Sequence, residues 1–249
     1  MPRARPQEPA PAFERPLTTV DLVIFGLAGD SLSVLLVRRG DGPGEPFPGL
    51  WALPGGFIDV ERDRDLEACA LRKLKEKTGV ASPYLEQLGS WGDGRRDPRG
   101  WSATHVYFAL MPIDGVTLRA GANAVDARWF SVAGNGAQKK LAFDHQRILD
   151  AAVARLRGKA DYTSLPAHLL PKEFTLTELQ RAYEAVIGRP LEKSAFRTRV
   201  LAADVVEPTS RVRGGSNRPA RLYRLKSGKD IVYFPRNFEP RKSDGRSER

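Results

Sequence analysis

The stretch that decides the fold is GGFIDVERDRDLEACALRKLKEKTGV, residues 55–80. A strand-like run, LWALP at 50–54, leads into its glycine pair. Leu66, Cys69, Ala70 and Leu74 then recur at three- and four-residue intervals, and Gly79 follows them. That spacing predicts a helix with one apolar face and a glycine stop. The polar side of this helix carries Arg72, Lys73, Glu76 and Lys77. Residues four apart share a helix face, so Lys73 and Lys77 are expected side by side. Two ammonium groups there offer no lone pairs and repel a divalent cation.

The flanks supply a sheet. TTVDLVIFGL (18–27) and LSVLLVRR (32–39) are β-branched and leucine-rich, and AGDS (28–31) between them is a hairpin signal. SATHVYFALM (102–111) and ARWFSV (127–132) read as further strands, and DHQRILDAAVARLRG (144–158) as an amphipathic helix. Mixed strands with helices packed on them predict an α/β sandwich over residues 17–160.

A change of character follows. KADYTSLPAHLLPKE (159–173) holds two prolines, and residues 161–171 are expected to be a linker. Beyond it Thr175 and Glu178 have the spacing of a capping box. A helix with Leu179, Tyr183, Val186 and Ile187 on one face runs to Gly188, and GRPL turns the chain into a second helix, roughly Lys193 to Ala203. Phe196, Val200 and Leu201 are expected inward. DVVEP and RLYRL, either side of TSRVRGGSNRPA, read as a β-hairpin in which Gly214 and Gly215 permit a tight turn. Helix, turn, helix and hairpin predict a smaller winged helix-turn-helix domain over 172–235. Residues 1–16, with five prolines, and 236–249 are expected to be disordered arms.

Composition bounds the function. The 249 residues carry a net charge of +10 and a pI near 9.9. Between Pro171 and Lys226 there are 12 Lys/Arg against 6 Asp/Glu, so over half of the excess lies in under a quarter of the length. The positive residues fall where a DNA reader needs them. Lys193, Ser194, Arg197, Thr198 and Arg199 lie on the second helix, and Arg211, Arg213, Arg218 and Arg221 on the wing. One cysteine, Cys69, excludes an intramolecular disulfide and reads as a small core filler. No apolar run approaches the length of a membrane span, and no hydrophobic stretch follows the basic N-terminus, so the expected compartment is the cytoplasm.

Residues 56–80 resemble the Nudix box, G-x5-E-x7-R-E-U-x-E-E-x-G-U with U apolar. Gly56, Arg72, Leu74, Glu76, Gly79 and Val80 match, with a loop about two residues longer than the pattern. The remaining acid positions hold Arg64, Lys73 and Lys77. Three readings are open: a hydrolase with other ligands, such as Glu61 or Asp65; a structural remnant; or a pocket that binds a ligand without chemistry. The residues favour the third, since lysine offsets phosphate charge but activates no water. The loop RRDPRG (95–100) is similar to that of Nudix proteins handling ADP-ribose, with Arg96, Asp97, Arg99 and Gly100 matching. LAFDHQRIL (141–149) is similarly familiar, and His145 there is expected to make a structural hydrogen bond.

Taken together, residues 17–226 resemble the Nudix-related transcriptional regulators of the NrtR family. The resemblance implies a homodimeric repressor of NAD-biosynthesis or salvage genes that binds a palindromic double-stranded operator. Its sensor half is expected to bind ADP-ribose through Arg39, Arg72, Lys73, Glu76, Lys77, Arg96 and Arg99. No metal, no other cofactor and no catalytic residue are expected, and no membrane partner. The alternative is an active ADP-ribose pyrophosphatase with a basic accessory domain.

Overall fold

The computed structural model describes residues 15–79, 84–114, 116, 118, 124–132, 140–214, 219–226 and 231–234. The arms expected over 1–16 and 236–249 lie outside these residues, apart from 15 and 16.

β1 (Leu17–Ala28) and β2 (Ser31–Arg39) form an antiparallel hairpin whose Ala28↔Ser31 register leaves Gly29 and Asp30 as the turn. Gly29 has φ 60°, a conformation glycine adopts without strain. β3 (Trp51–Ala52) and β7 (Ala124–Ser131) pair with β2, and β4 (Gly55–Phe57) pairs with β1. β5 (Tyr84–Asp93) runs antiparallel to β6 (Ser102–Leu110), and β6 runs parallel to β1. The result is a seven-stranded mixed sheet with a spine β3-β2-β1-β6-β5.

Period-two alternation along β1 separates two cores. Val20, Leu22 and Ile24 face α1 (Leu66–Thr78), where Cys69, Ala70 and Leu74 meet them. Val23 and Phe25 face α2 (His145–Ala160), where Ile148, Leu149, Ala152 and Leu156 close the opposite layer. Both sheet faces are therefore covered, as the sandwich expectation required. Cys69 is fully buried, and burial pushes its thiol up to about 11, which suits a packing residue.

The second unit contains α3 (Leu176–Ile187), α4 (Lys193–Ala202), β8 (Val206–Arg213) and β9 (Ala220–Leu225). The capping box forms: Glu178 N donates to Thr175 Oγ1 at 3.2 Å, and Thr175 N donates to Glu178 Oε2 at 2.7 Å. Gly188 closes α3 at φ 80°. Phe174, Leu179, Tyr183, Phe196 and Val200 make a separate core.

Two expectations need correction. Residues 161–171 are no open linker. They hold a 3₁₀ turn at Leu165–Leu169, all five residues buried. Leu165 and Leu169 enter the core under α2, Ala167 enters that of the second unit, and Val186 of α3 packs back into the first. Alternating apolar positions gave this segment two cores to fill, which prolines alone did not disclose. Leu201 also turns outward, 47% exposed. At about 100° per residue it lies roughly 140° from Phe196, so the inward face closes with Phe196, Val200 and the partly buried Ala203.

Candidate effector and nucleic-acid sites

α1 is set by its ends. Asp65 caps it, accepting from Ala68 N at 2.7 Å, and Gly79 ends it in the left-handed conformation. Between them Arg72 is held on two sides. Its Nε and Nη2 donate to the two Asp63 oxygens at 2.6 and 2.5 Å, and Nη1 donates to Glu76 Oε1 at 3.0 Å. The Asp63 side chain is 1% exposed, and the Arg72 hydrogen bonds hold its carboxyl far below the usual range. Asp63 escaped the sequence reading: it sits in the lengthened loop, nine residues before its partner, with no motif to mark it.

Lys73 reaches across to β4. A Cβ placed on Gly56, which has φ 146°, would stand 3.0 Å from the Lys73 Nζ, so glycine there leaves room for the ammonium. Lys77 is buried, and burial, followed by the neighbouring Lys73 charge, lowers its pKa. Of the expected effector set, Lys73 therefore lies against the glycine turn, whereas Arg72 and Lys77 are packed into the helix base. The Nudix pattern implies a divalent cation on this helix. The donors do not fit one: Glu76 is taken by Arg72, two lysines hold acid positions, and among the described residues no three His, Cys, Asp or Glu side chains gather.

A second cluster faces β4. Arg39, at the end of β2, donates to Pro46 O at 2.6 Å and to Glu45 at 2.5 Å, and its guanidinium lies 5.0 Å from the Phe143 ring centre. Arg99 pairs with Asp97 at 2.8 Å and stands over the half-exposed Phe57 ring at 5.4 Å. Phe57, which the motif reading passed over, makes an arginine-faced plate beside Gly56, and Phe143, part of the 141–149 motif, makes another under Arg39. Arg96 is different. Its side chain is 4% exposed, donating to Asp144 at 2.9 Å and to Ser102 at 3.2 Å, with Asp21 at 3.8 Å. It supports the site from below instead of lining it. Burial would raise the Asp21 carboxyl, but His145, Thr104 and Arg96 together overcome this and hold it low. His145 Nδ1 accepts from Leu53 N at 2.9 Å, the structural role expected of it.

In the second unit, α4 is capped by Glu192, which accepts from Ser194 N at 2.8 Å and Ala195 N at 2.5 Å. This acid at the mouth of the helix was also missed in the sequence, although its position before Lys193 is that of a cap. Lys193, Ser194 and Thr198 are exposed, as expected. Arg197 is partly buried and its Nη2 lies 3.4 Å from Thr177 Oγ1, joining α4 to α3. Arg199 is half-buried on the flank nearer the core, about 100° round the helix from the exposed Thr198. On the wing, Arg211 pairs with Glu173 at 2.7 Å and Arg213 with Glu178. Arg221 is exposed, and Arg218 and Gly215 lie outside the described residues.

The two units meet at a cavity of about 520 Å³ bordered by the β1–β2 turn, the segment after β6, α3 and Arg213. Asp30 of the turn lies 3.8 Å from Arg181 of α3, and Arg157 Nε donates to Val186 O at 3.2 Å.

An α/β sandwich with a Nudix-type helix, joined to a basic winged helix, defines a class: sensor domains fused to DNA readers. The NUDIX domain matches residues 15–152, and the NrtR DNA-binding winged helix domain matches residues 166–225. The chain belongs to the NrtR family of Nudix-related regulators. It is 45% identical over 227 residues to the ADPR responsive transcriptional repressor NtrR of Acinetobacter baylyi, covering 91% of this chain and 89% of that one. It superposes on Shewanella oneidensis NrtR complexed with a 27mer DNA with a TM-score of 0.81 at 43% identity, covering 90% of this chain and all of the other. The NUDIX domain of the same Shewanella protein, complexed with ADP ribose, matches 58% of this chain and 91% of that domain, at 46% identity and a TM-score of 0.53. Among the described residues no helix is long and apolar enough to cross a membrane.

Proposed function

We propose that this protein is an ADP-ribose-responsive transcriptional repressor of NAD-biosynthesis or salvage genes, acting in the cytoplasm as a homodimer on a palindromic operator. Its Nudix domain binds the effector without hydrolysing it and uses no metal. The observation that carries the reading is the pairing, in one chain, of an exposed basic α4 with a Nudix helix whose acid positions are Lys73, Lys77 and Arg64 and whose Glu76 is engaged by Arg72. The names of the Acinetobacter and Shewanella relatives supply the effector and the nucleic acid.

Within the sensor, Arg39, Arg99 and Lys73 are the groups that reach a diphosphate, with Phe57 and Phe143 beside them offering faces to a planar base. Arg72 and Arg96 position these elements from within. Coupling to DNA has a physical route. β2 carries Arg39 at one end and joins the Asp30 turn at the other, and Asp30 faces Arg181 on α3. An effector that binds the DNA-free conformation tenfold more tightly shifts the equilibrium by about 1.4 kcal/mol per site.

The test is a gel shift with duplexes from upstream of the protein's own gene and neighbouring NAD genes, with and without ADP-ribose, beside an ADP-ribose hydrolysis assay with Mg²⁺ or Mn²⁺. Specific retardation relieved by ADP-ribose, without turnover, is the expected result. Turnover that depends on Glu76 would make the protein a hydrolase instead. Lys73→Glu with Lys77→Glu should restore some divalent-cation binding, measured by calorimetry.

A further inference from the structure

The outward turn of Leu201 singles out one position on the surface of α4. Phe196 and Val200 fix the buried face of this helix. Ser194, Thr198 and Leu201 follow one another at four- and three-residue intervals on the opposite face, with Arg197 at its edge. This is the face that a winged helix presents to a major groove; Ala195 and Ala202 are exposed on its far flank, and Leu201 is the one large apolar side chain on it. A lone exposed leucine on an ordinary surface needs no account. Here the surroundings are basic, the excess charge of residues 171–226 favours a polyanion, and the superposed Shewanella structure holds DNA on the same fold. The adjacent Thr198 and Arg197 have donors for base edges or phosphates; Leu201 has none.

We propose that Leu201 is a specificity-determining residue, packing against the C5-methyl group of a thymine in each half-site. This rests on the DNA-reading function proposed above and adds what is read. A thymine methyl is the one apolar group that a base pair displays in the major groove, and aliphatic side chains select it by contact rather than by hydrogen bonding. Leu201 lies two turns beyond Ser194, so the thymine falls toward the far side of the half-site from the base pairs nearest the helix start.

The experiment is selection from a random duplex library with the full-length protein, its Leu201→Ala variant and its Leu201→Met variant. Each thymine of the selected site is then replaced by deoxyuridine, which lacks only the methyl. The expected result is a T·A position per half-site that wild type and Leu201→Met prefer and Leu201→Ala does not. At that position deoxyuridine should weaken wild-type binding about fourfold, the size of one buried methyl group, and leave Leu201→Ala unchanged. Equal deoxyuridine sensitivity in wild type and Leu201→Ala overturns the proposal while leaving the DNA-binding function standing. If wild type selects no sequence, both fall. If Leu201→Ala selects nothing, Leu201→Met decides: thymine preference kept supports the proposal, and loss of all selection by Leu201→Met overturns it. Because Leu201 is exposed, thermal midpoints of the variants should match wild type.

Discussion

Arg96 and Arg221 carry the same guanidinium in opposite surroundings. Arg96 is enclosed by Asp144, Ser102 and Asp21, whereas Arg221 stands in solvent on β9. The contrast extends to the two domains. In the sensor, Arg72 and Arg96 answer buried carboxylates and so build the site, while Arg99 sits at its rim over Phe57 and Arg39, as enclosed as Arg72, lies over Phe143. In the winged helix the pairs Arg211–Glu173, Arg213–Glu178 and Arg224–Glu207 lie at the surface, where phosphates can replace the carboxylates at little cost. An arginine's surroundings, more than its presence in a basic motif, decide whether its loss affects folding or affinity.

The largest expected effect tests this directly. Arg96→Ala leaves Asp144 and the buried Asp21 without their cation and should destabilise the protein by about 3 kcal/mol, read as a lowered urea midpoint. Arg221→Ala should shift that midpoint by no more than about 0.5 kcal/mol. Similar losses in the two variants would break the contrast.

A comparable effect comes from the junction between the domains. His168 is buried in the 3₁₀ turn against Tyr84, and burial lowers its pKa from 6.5 to about 4. The neutral ring is therefore the folded form. As pH falls below about 6.5 the unfolded chain takes up a proton that the folded chain refuses until about pH 4. Stability is lost across that window, by roughly 3 kcal/mol at its end. Thermal midpoints from pH 7 to pH 4 should fall more steeply for wild type than for His168→Phe. Parallel curves would show that carboxylates alone govern the acid limb.

The same contrast explains what the sequence made legible. Periodic features read correctly: the β1–β2 hairpin with its Gly29–Asp30 turn, the apolar face of α1, and the Thr175/Glu178 capping box are all local patterns whose partners lie within a few residues. Groups whose partners are distant in sequence did not. Arg96 matched a binding loop but answers Asp144, 48 positions away, and the wing's Arg213 answers Glu178, 35 positions away. Residues 161–171 looked like a linker because prolines are visible in a sequence and the two cores that claim Leu165 and Ala167 are not. By residue type alone Leu201 reads inward beside Val200, whereas its angle on the helix puts it outside.

On the affinity side of the contrast, Arg197→Ala should weaken operator binding about tenfold, as expected of an arginine contacting a base edge or phosphate at the edge of the α4 face. Arg221→Ala should act more evenly across sequences and lower the salt dependence of binding by about one phosphate contact, measured from the slope of log affinity against log salt. An Arg221→Ala effect confined to one sequence would place the wing at base edges and sharpen the division between α4 and wing.

The smallest expected effect sits on the bridge between the two regions. Asp30 and Arg181 are both well exposed and 3.8 Å apart, so their pair contributes under about 1 kcal/mol and its loss should leave folding unchanged. What it should change is coupling. The ratio of operator affinities with and without ADP-ribose should shrink about two- to threefold in Asp30→Asn, while each affinity measured alone changes less. Arg181→Gln should give the same loss, and the double variant no more than either single one, because one pair is removed in all three. If the ratio is untouched, the effector's influence passes instead through the buried seam, where Arg157 holds the Val186 carbonyl and Val186 packs beneath α2. Arg157→Ala then becomes the variant that uncouples the two domains, with a cost in stability that Asp30→Asn does not have.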